Sequence, residues 1–356
     1  MTGNSGSPPG SSPRPLGCDS PLSEHYDAAL LDLDGVVYLG GTPIQGAADA
    51  LATATASGMR RAFVTNNASR TPNAIAAQLS GMGVPAAGTD VVTSAQAAAH
   101  LIADKFPAGS RVLVVGGMGL RIAVRERGLC PVSTAASQPL AVVQGYAPDI
   151  SYGLLAEAAL AIRAGAWYVA SNADVTLPTT RGPLPGNGSL VQVLVTATGQ
   201  QPVVAGKPEP PLHAESVERV AARHPLVVGD RLDTDIAGAF RGGSDSLLVL
   251  TGVSRPADVL LAPPRQRPSY LAADLAGLNT AHPGVTQSAD GFSCGGWTAA
   301  AAAGDGWLRV SGSGDKLDGL RALCAAAWSA SAPGSGGGPA ARQAAEQAVR
   351  AVGYTG

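Results

Sequence analysis

Short apolar runs alternate with longer segments of helical periodicity over most of the chain. The run DAALL ends in the polar sequence DLDG, and GAADALATATASG follows with helical spacing and a closing glycine. The alternation continues through MRRAFVTNN and SRTPNAIAAQLSGMG to PLVVGDRLDTDIAGAFRGGS. Apolar runs without polar alternation suit strands that are buried on both faces of a sheet and joined by helices. We therefore expect an α/β protein built from parallel strands.

The two ends of the chain differ from this pattern. Residues 1–25 are rich in Gly, Ser and Pro and lack the apolar centre of a signal peptide, which predicts a disordered tail. The alternation stops near Leu278, and residues 279–295 have the composition of a linker. Residues 296–356 predict two short strands around a Gly-Asp-Gly turn and two helices separated by the flexible sequence SAPGSGGGP. We expect a small α+β module there, without a motif that carries chemistry.

Composition excludes several classes of function. The 24 basic and 26 acidic residues give a net charge of −2, so no basic field is available for nucleic acid, and no apolar stretch is long enough for membrane insertion. The four cysteines form no C-x-x-C pair, which favours reduced thiols and a cytoplasmic location. Arg outnumbers Lys by 21 to three, so each lysine (Lys105, Lys207 and Lys316) needs its own explanation.

Two carboxylates, Asp32 and Asp34, follow the first predicted strand. Alternate residues of a strand point to the same side, so these groups would repel one another unless they bind a cation or share a proton. The carboxyl ends of parallel strands are where open α/β sheets bind ligands, and Gly35 lets the backbone approach a ligand closely. The alternative is a polar strand end that caps a turn, and D-x-D-G alone leaves both interpretations open.

Two other strand ends carry groups suited to an anion. Thr65, Asn66 and Asn67 follow the run AFV, and a hydroxyl with amides can bind anionic oxygens or, alternatively, cap the next helix. Lys207, in AGKPEP, follows the run VV and precedes a proline that restricts its backbone. Its ammonium could neutralise a phosphate or carboxylate, although a solvated surface lysine is the usual alternative.

A fourth strand end, in VVGDRLDTDI, contributes Asp230 and Asp235. Carboxylates on such a turn suit Mg²⁺, which prefers oxygen ligands. The alternative is that the acidic residues complement the amino terminus of the following helix.

In this order, acid-x-acid, hydroxyl, lysine and acid resemble the motifs of the haloacid dehalogenase superfamily of phosphotransferases. DLDGVVYLG, FVTNNASR, LPGNGSLV, AGKP and VVGDRLDTDI are similar to its subgroup with a large α/β cap between the second and third motifs. That subgroup includes 4-nitrophenylphosphatase-like and phosphoglycolate phosphatases. Between Thr65 and Lys207 lie 141 residues, enough for such a cap. The resemblance implies a Rossmann-like doubly wound parallel sheet core (26–91 and 205–278) with an inserted cap domain (92–204).

Carried over by motif, the resemblance implies that Asp32 is a nucleophile that forms an aspartyl-phosphate. It implies that Asp34 protonates the leaving oxygen and then deprotonates the attacking water. It also implies Mg²⁺ as the cofactor, held by the Asp32 carboxylate, the Asp34 backbone carbonyl, Asp230 and Asp235.

The same resemblance implies that the phosphoryl oxygens are bound by Thr65, the Asn66 amide and Lys207. Asn67 is a weaker candidate for substrate binding, since it could instead orient Lys207 or Asp230. Within the cap, SNADVTLPTTRG resembles a loop that reaches over the site in this subgroup.

That cap loop offers Asn172, Asp174 and Arg181 as candidates for contact with the leaving group, with LPGNGS lining the cleft. The alternative is that Asp174 and Pro178 only shape the loop. In this subgroup the cap commonly forms the interface of a homodimer, so we expect a homodimer through the cap.

The substrate implied is a small phosphorylated metabolite. The sequences AEAALAIRAGA, TLPT and VLTGV are similar to actinobacterial glycerol-3-phosphate phosphatases, which favours glycerol 3-phosphate. Phosphoglycolate or another short phosphomonoester is the alternative. A different class of function also stays open, namely a scaffold or binding protein that acts through the C-terminal module.

Overall fold

The computed structural model describes residues 14–177, 179, 181–302, 307–330 and 338–355. Within them, the strands are β1 Ala28–Leu31, β2 Tyr38–Leu39, β3 Thr42–Pro43, β4 Arg60–Thr65, β5 Val91–Thr93, β6 Arg111–Val115, β7 Cys130–Val132, β8 Ala141–Gln144, β9 Trp167–Ala170, β10 Thr176–Leu177, β11 Leu184–Pro185, β12 Val203–Val204, β13 Pro225–Gly229, β14 Asp245–Val249, β15 Tyr270–Ala272, β16 Thr286–Ser288, β17 Gly291–Cys294, β18 Trp297–Ala301 and β19 Leu308–Gly312.

The α-helices in the same described stretches are α1 Leu22–His25, α2 Ala47–Ala56, α3 Pro72–Gly81, α4 Ser94–Lys105, α5 Met118–Glu126, α6 Tyr152–Arg163, α7 Asn187–Thr198, α8 Pro210–Arg219, α9 Ala237–Gly242, α10 Pro256–Leu260, α11 Lys316–Ser329 and α12 Pro339–Ala351. Several begin at the residues that the sequence indicates. Thr71 caps α3 with Pro72 in its first turn, and Thr93 with Gln96 forms a capping box on α4.

The chain divides into two compact units, Met1–Arg61 with Ala222–Gly356, and Ala62–Ala221. In the first unit, parallel strands lie in the order β15-β14-β13-β1. All four residues of β1 are buried, as expected for a strand covered on both faces. The α/β fold with a parallel sheet is therefore confirmed.

The second unit has its own parallel sheet, in the order β12-β9-β8-β6-β7. The valines of β6 and β8 are fully buried within it. This unit extends beyond the predicted cap (92–204), because α8 packs against α4 and β5. The core and cap boundaries, and the homodimer through the cap, stay predictions.

The C-terminal module, defined here as β16–β19 with α11 and α12, belongs to the first unit. Its four strands form an antiparallel sheet in chain order, and α11 packs against β17 and β18. The predicted α+β module is therefore present. The linker predicted over 279–295 is wrong where β16 and β17 pair, because inter-strand hydrogen bonds organise two short segments whose sequences show no strand pattern. The predicted Gly-Asp-Gly turn and the SAPGSGGGP break fall mainly on 303–306 and 331–337, outside the described residues.

The predicted disordered tail is also wrong from Arg14 onward. The Leu16 amide donates to the Ser269 carbonyl at 2.8 Å, and Cys18 pairs with His282 through two backbone hydrogen bonds. Leu22 is fully buried. Residues 1–13 lie outside the described part of the chain. None of the helices described is long and apolar enough to cross a membrane.

Candidate active site

The predicted site residues fall into both units, and each group is described by itself. In the first unit, the carboxylates of Asp32, Asp230 and Asp235 each offer an oxygen, and these oxygens lie within 4.8 Å of one another. Asp32 directly follows β1, and its amide donates to the Val228 carbonyl of the neighbouring strand at 2.8 Å. Asp230 directly follows β13 and is fully buried, as is Asp235 in the π-helical turn after it.

Three like charges at this spacing repel one another in a buried setting, and a divalent cation is the simplest compensation. Three carboxylates are the hard oxygen ligands that Mg²⁺ prefers. The residues therefore fit the predicted metal. The Asp34 side chain is not a member of this cluster, and the use of its backbone carbonyl as a metal ligand stays a prediction.

Glycines leave room for two of these carboxylates. A Cβ built on Gly252 would lie 2.0 Å from Oδ2 of Asp230, and one on Gly35 would lie 2.5 Å from the same atom. A Cβ on Gly229 would lie 2.5 Å from Oδ2 of Asp235. Gly35 also adopts a φ of +89°, which favours glycine. In this structure the group close to Gly35 is the Asp230 carboxylate, and the approach of a ligand to this glycine stays a prediction.

The segment after β14 is the third part of the chain that holds the cluster in place, beside the ends of β1 and β13. The Val253 amide donates to Oδ2 of Asp230 at 2.6 Å, and the Ser254 amide donates to the Asp230 carbonyl at 3.1 Å. The Thr251 hydroxyl donates to the Gly35 carbonyl at 2.5 Å. Sequence reasoning gave this segment no role at the site. Its signal was the sequence TGVS after an apolar run, which repeats the pattern of a polar strand end.

Asp34 has a different environment from the buried carboxylates. It is exposed, and its Oδ1 accepts a hydrogen bond from the Gly40 amide at 3.1 Å. A tight turn, closed by the Gly35 amide donating to the Tyr38 carbonyl at 2.6 Å, fixes the backbone around it. An exposed carboxylate can exchange protons with water, as an acid-base group requires.

Asp233 lies between Asp230 and Asp235 in the sequence, but its carboxylate pairs with Arg231 instead of joining the cluster. Arg231 donates to it through Nε at 3.1 Å and Nη2 at 2.8 Å. Burial raises the pKa of Asp233, but the hydrogen bonds and charge of Arg231 outweigh burial and lower the pKa below its usual value. Its side chain is 60% exposed. Asp233 can therefore serve as a control for the carboxylates of the cluster, because it lies close to them in sequence but is not one of them.

In the second unit, Asn66 binds Lys207 at both ends of its amide. Oδ1 of Asn66 accepts from the Lys207 amide at 2.8 Å, and Nδ2 donates to the Lys207 carbonyl at 3.1 Å. The Lys207 ammonium donates to the Val64 carbonyl at 3.2 Å, which places it at the end of β4 beside Thr65. The peptide bond from Lys207 to Pro208 is cis. Lys207 is therefore fixed and half-buried rather than a solvated surface lysine.

The two asparagines have different partners. The Asn66 side chain orients Lys207, the role suggested for Asn67, and binding of phosphoryl oxygens by the Asn66 amide stays a prediction. Asn67 is exposed, and its Oδ1 accepts from the Ser69 amide and hydroxyl, both at 2.9 Å. Asn67 thus shapes the turn before α3, while the Thr65 hydroxyl accepts from the Asn67 amide at 3.1 Å.

The candidate residues of the cap loop also differ from one another in burial and in hydrogen bonding. Asn172 is buried, and its Nδ2 donates to the Asn66 carbonyl at 2.7 Å while its Oδ1 accepts from the Asp174 amide at 3.2 Å. The Asp174 carboxylate accepts from Nδ2 of Asn66 at 3.2 and 3.3 Å. Both side chains thus hydrogen-bond to residue 66, and their contact with the leaving group, like the alternative that Asp174 only shapes the loop, stays a prediction. Arg181 is exposed in the loop between β10 and β11, and Pro178 lies outside the described residues.

Comparison with known families agrees with these two groups of residues. Residues 29–130 match the model of the haloacid dehalogenase-like hydrolases, and residues 204–278 match a HAD-hydrolase-like model. Residues 294–354 match a GCN5-related N-acetyltransferase-like domain, a likeness that the sequence patterns did not reveal.

Individual relatives give the same family. The chain is 52% identical over 258 residues to D-glycerol 3-phosphate phosphatase of Mycobacterium tuberculosis, covering 72% of each chain. It is 40% identical to a 5'-nucleotidase of Bacillus subtilis, covering 65% of this chain and 89% of that one. A crystal structure of the M. tuberculosis glycerol phosphate phosphatase in complex with magnesium superposes with a TM-score of 0.82 and 46% identity, covering 92% of this chain and 98% of that one. With the carboxylate cluster in place, these likenesses show that the chain belongs to the haloacid dehalogenase-like hydrolase family.

Proposed function

We propose that this chain is a Mg²⁺-dependent phosphomonoesterase that hydrolyses glycerol 3-phosphate to glycerol and phosphate. The observation that carries the proposal is the cluster of Asp32, Asp230 and Asp235, whose oxygens lie within 4.8 Å of one another. The substrate is supported by the relative that is 52% identical and named a D-glycerol 3-phosphate phosphatase. Phosphoglycolate and other short phosphomonoesters are the alternative substrates.

The two aspartates of the D-x-D sequence have different roles: Asp32 is the nucleophile and Asp34 is the acid-base group. An oxygen of the Asp32 carboxylate attacks phosphorus, the bond from phosphorus to the glycerol oxygen breaks, and Asp34 gives that oxygen its proton. Asp34 then takes a proton from water, whose oxygen attacks phosphorus and releases phosphate from Asp32. The exposure of Asp34 supports this assignment, because an exposed carboxylate can exchange protons with water.

Bound at the three carboxylates, Mg²⁺ supplies neutralisation of the charge on the phosphoryl group. Asp32, Asp230 and Asp235 hold it. Lys207 and Thr65 are proposed to bind phosphoryl oxygens. Asn66 is a positioning residue for Lys207, on the evidence of its two hydrogen bonds to the Lys207 backbone.

Arg181 is the member of the cap loop proposed to contact the leaving group, because its side chain is exposed in the hairpin loop. Asn172 and Asp174 act through their hydrogen bonds to residue 66.

The substrate is tested by kcat/KM with Mg²⁺ across both enantiomers of glycerol 3-phosphate, phosphoglycolate, 4-nitrophenyl phosphate and 5'-nucleotides. We expect one enantiomer of glycerol 3-phosphate to exceed the other esters by at least about tenfold, which is 1.4 kcal/mol of discrimination. Equal turnover of all esters would contradict the substrate assignment and leave the phosphatase assignment intact.

The covalent mechanism is tested with Asp32→Asn, and Asp233→Asn is the matched control in the same unit. We expect Asp32→Asn to lower kcat by about a thousandfold or more, and Asp233→Asn to keep activity close to wild type. Full activity in Asp32→Asn would exclude the aspartyl-phosphate. Absence of phosphatase activity in the wild-type chain would favour a scaffold function instead.

A further inference from the structure

The segment that holds Asp230 continues directly into a short helix. Two amides, from Val253 and Ser254, bind the side chain and the backbone of Asp230. The Ser254 hydroxyl also accepts from the Leu232 amide at 3.2 Å, in the turn that carries Asp235. Two residues later α10 begins at Pro256. The position of α10 therefore determines where these donors lie.

A helix of five residues does not stabilise itself, so α10 depends on tertiary contacts. Two of these come from the C-terminal module. The Trp328 indole Nε1 of α11 donates to the Val259 carbonyl at 3.0 Å, and Trp328 is buried. Arg342 of α12 forms an ion pair with Asp258, whose other oxygen accepts from the Arg255 amide at 2.8 Å and caps α10.

Apolar packing joins the same elements. One hydrophobic cluster contains residues of α10, residues of the turn that carries Asp235, and residues of both helices of the module. Its members from these elements include Leu232, Ile236, Ala257, Val259, Leu260, Leu320, Leu323, Ala326, Ala345 and Val349. The supports of both Asp230 and Asp235 are thus packed against the C-terminal module.

The module resembles an acetyltransferase-like domain, but the amino terminus of α11, where it could bind an anion, is used by its own carboxylates. Oδ1 of Asp315 accepts from the Leu317 amide at 2.7 Å, and Asp318 lies in the first turn. A Cβ on Gly312, just before this terminus, would lie 2.0 Å from the Gly296 carbonyl oxygen. The loop from β19 to α11 is therefore closed against the preceding turn.

We propose that the C-terminal module is a positioning element for the metal site, acting through α10 and the Val253–Ser254 amides on Asp230. Trp328 and Arg342 are its positioning residues. The proposal rests on the proposed function, because it assigns the carboxylate cluster to Mg²⁺. The module then has a role in the phosphatase reaction.

The test measures Mg²⁺ affinity of the full chain by calorimetry with MgCl₂ alone, which requires no turnover. Trp328→Phe keeps an aromatic ring and removes the donor to Val259, while Arg342→Ala removes the ion pair with Asp258. We expect each variant to bind Mg²⁺ about threefold more weakly, and the double variant about tenfold, with kcat at saturating Mg²⁺ within about twofold of wild type.

Arg350→Ala is the matched control, since Arg350 lies on the same helix and pairs with Glu346 of that helix at 3.8 Å. It should leave Mg²⁺ affinity unchanged, and Arg342→Lys should restore most of the affinity lost in Arg342→Ala. A role in stability alone would lower the melting temperature of the variants but not their Mg²⁺ affinity at a temperature where they are folded. If the Trp328 and Arg342 variants melt at a lower temperature but keep their Mg²⁺ affinity, while Asp230→Asn loses Mg²⁺ binding, the positioning proposal is overturned. The proposed function would still stand. Failure of the wild-type chain to bind Mg²⁺ would overturn both.

Discussion

The substitution Gly252→Ala tests whether the position of the Asp230 carboxylate controls metal binding. Gly252 is not in the left-handed region, so alanine there introduces no backbone strain. Its effect would come from one methyl group. That methyl would lie 2.0 Å from Oδ2, 2.5 Å from Cγ and 2.7 Å from Cβ of Asp230.

The magnitude follows from these distances. Cβ atoms do not approach other atoms closer than 3.0 Å, so the Asp230 carboxylate or the Gly252 backbone must move by about 1 Å. Mg²⁺ requires ligand distances of about 2.0–2.1 Å, so a displacement of this size removes a ligand or distorts the site. Overpacking a filled site costs about 1–3 kcal/mol. Expressed in metal binding, that cost corresponds to a fall in Mg²⁺ affinity of about five- to hundredfold.

The assay is calorimetric Mg²⁺ binding, supported by the Mg²⁺ dependence of kcat/KM. Gly81→Ala is the control, because a Cβ on Gly81, also outside the left-handed region, would meet nothing within 4 Å. We expect Gly81→Ala to match wild type in both measurements. If Gly252→Ala folds and binds Mg²⁺ within about twofold of wild type, the inference that Asp230 is held in place for the metal is wrong.

Three further predictions concern other parts of the chain. Lys207→Arg should stay folded and lose about a hundredfold in kcat/KM, because the planar guanidinium does not replace a point charge whose backbone is fixed by Asn66; near-normal turnover would remove Lys207 from the site. Burial raises the pKa of Glu215, but His100 and two arginines outweigh it and hold that pKa below the usual value of 4.5 for a glutamate. Its charged form therefore stabilises the fold above about pH 4.5, and this contribution falls away as the pH drops below that value. In urea unfolding, Glu215→Gln should thus cost about 1–3 kcal/mol at pH 7 and progressively less below pH 4.5, and a cost that grows with acid would contradict the assignment. Truncation after Leu278 should abolish cooperative thermal unfolding, because it exposes the apolar cluster on α10; a truncated chain that melts like wild type would refute this.

Features set by local sequence could be predicted, and features set by contact between distant residues could not. Continuous apolar runs identify buried strands because parallel sheets are covered on both faces, as the fully buried β1 shows. The predicted tail failed because Arg14–His25 is ordered by backbone hydrogen bonds to Ser269 and His282 and by the burial of Leu22, and the local sequence signals none of these contacts. The strands β16 and β17 were missed because their short sequences, TQS and GFSC, show no strand pattern and become strands through the pairing of β16 with β17 and of β17 with β18.

The three lysines show that side-chain contacts between distant residues could not be predicted either. Lys207 was singled out by its place in a motif, and the structure gives it fixed partners. Lys105 and Lys316 belong to no motif, and their ammonium groups lie 4.4 Å from the centre of the Trp167 ring and 5.0 Å from the centre of the Tyr354 ring. A cation–aromatic contact joins residues far apart in the chain, so no spacing rule could have located either one.

The carboxylate cluster explains why the candidate metal ligands were easier to find than the residues that hold them in place. Strand topology places the ends of β1 and β13 side by side, so polar groups there converge whatever lies between them in sequence. Convergence brings three negative charges together, and their repulsion must be opposed by donors and by close packing. Those supports are backbone amides and glycines, such as Val253 and Gly252, which any sequence contains in number. Only the folded chain shows which of them face Asp230, and in this protein the answer leads through α10 to the C-terminal module.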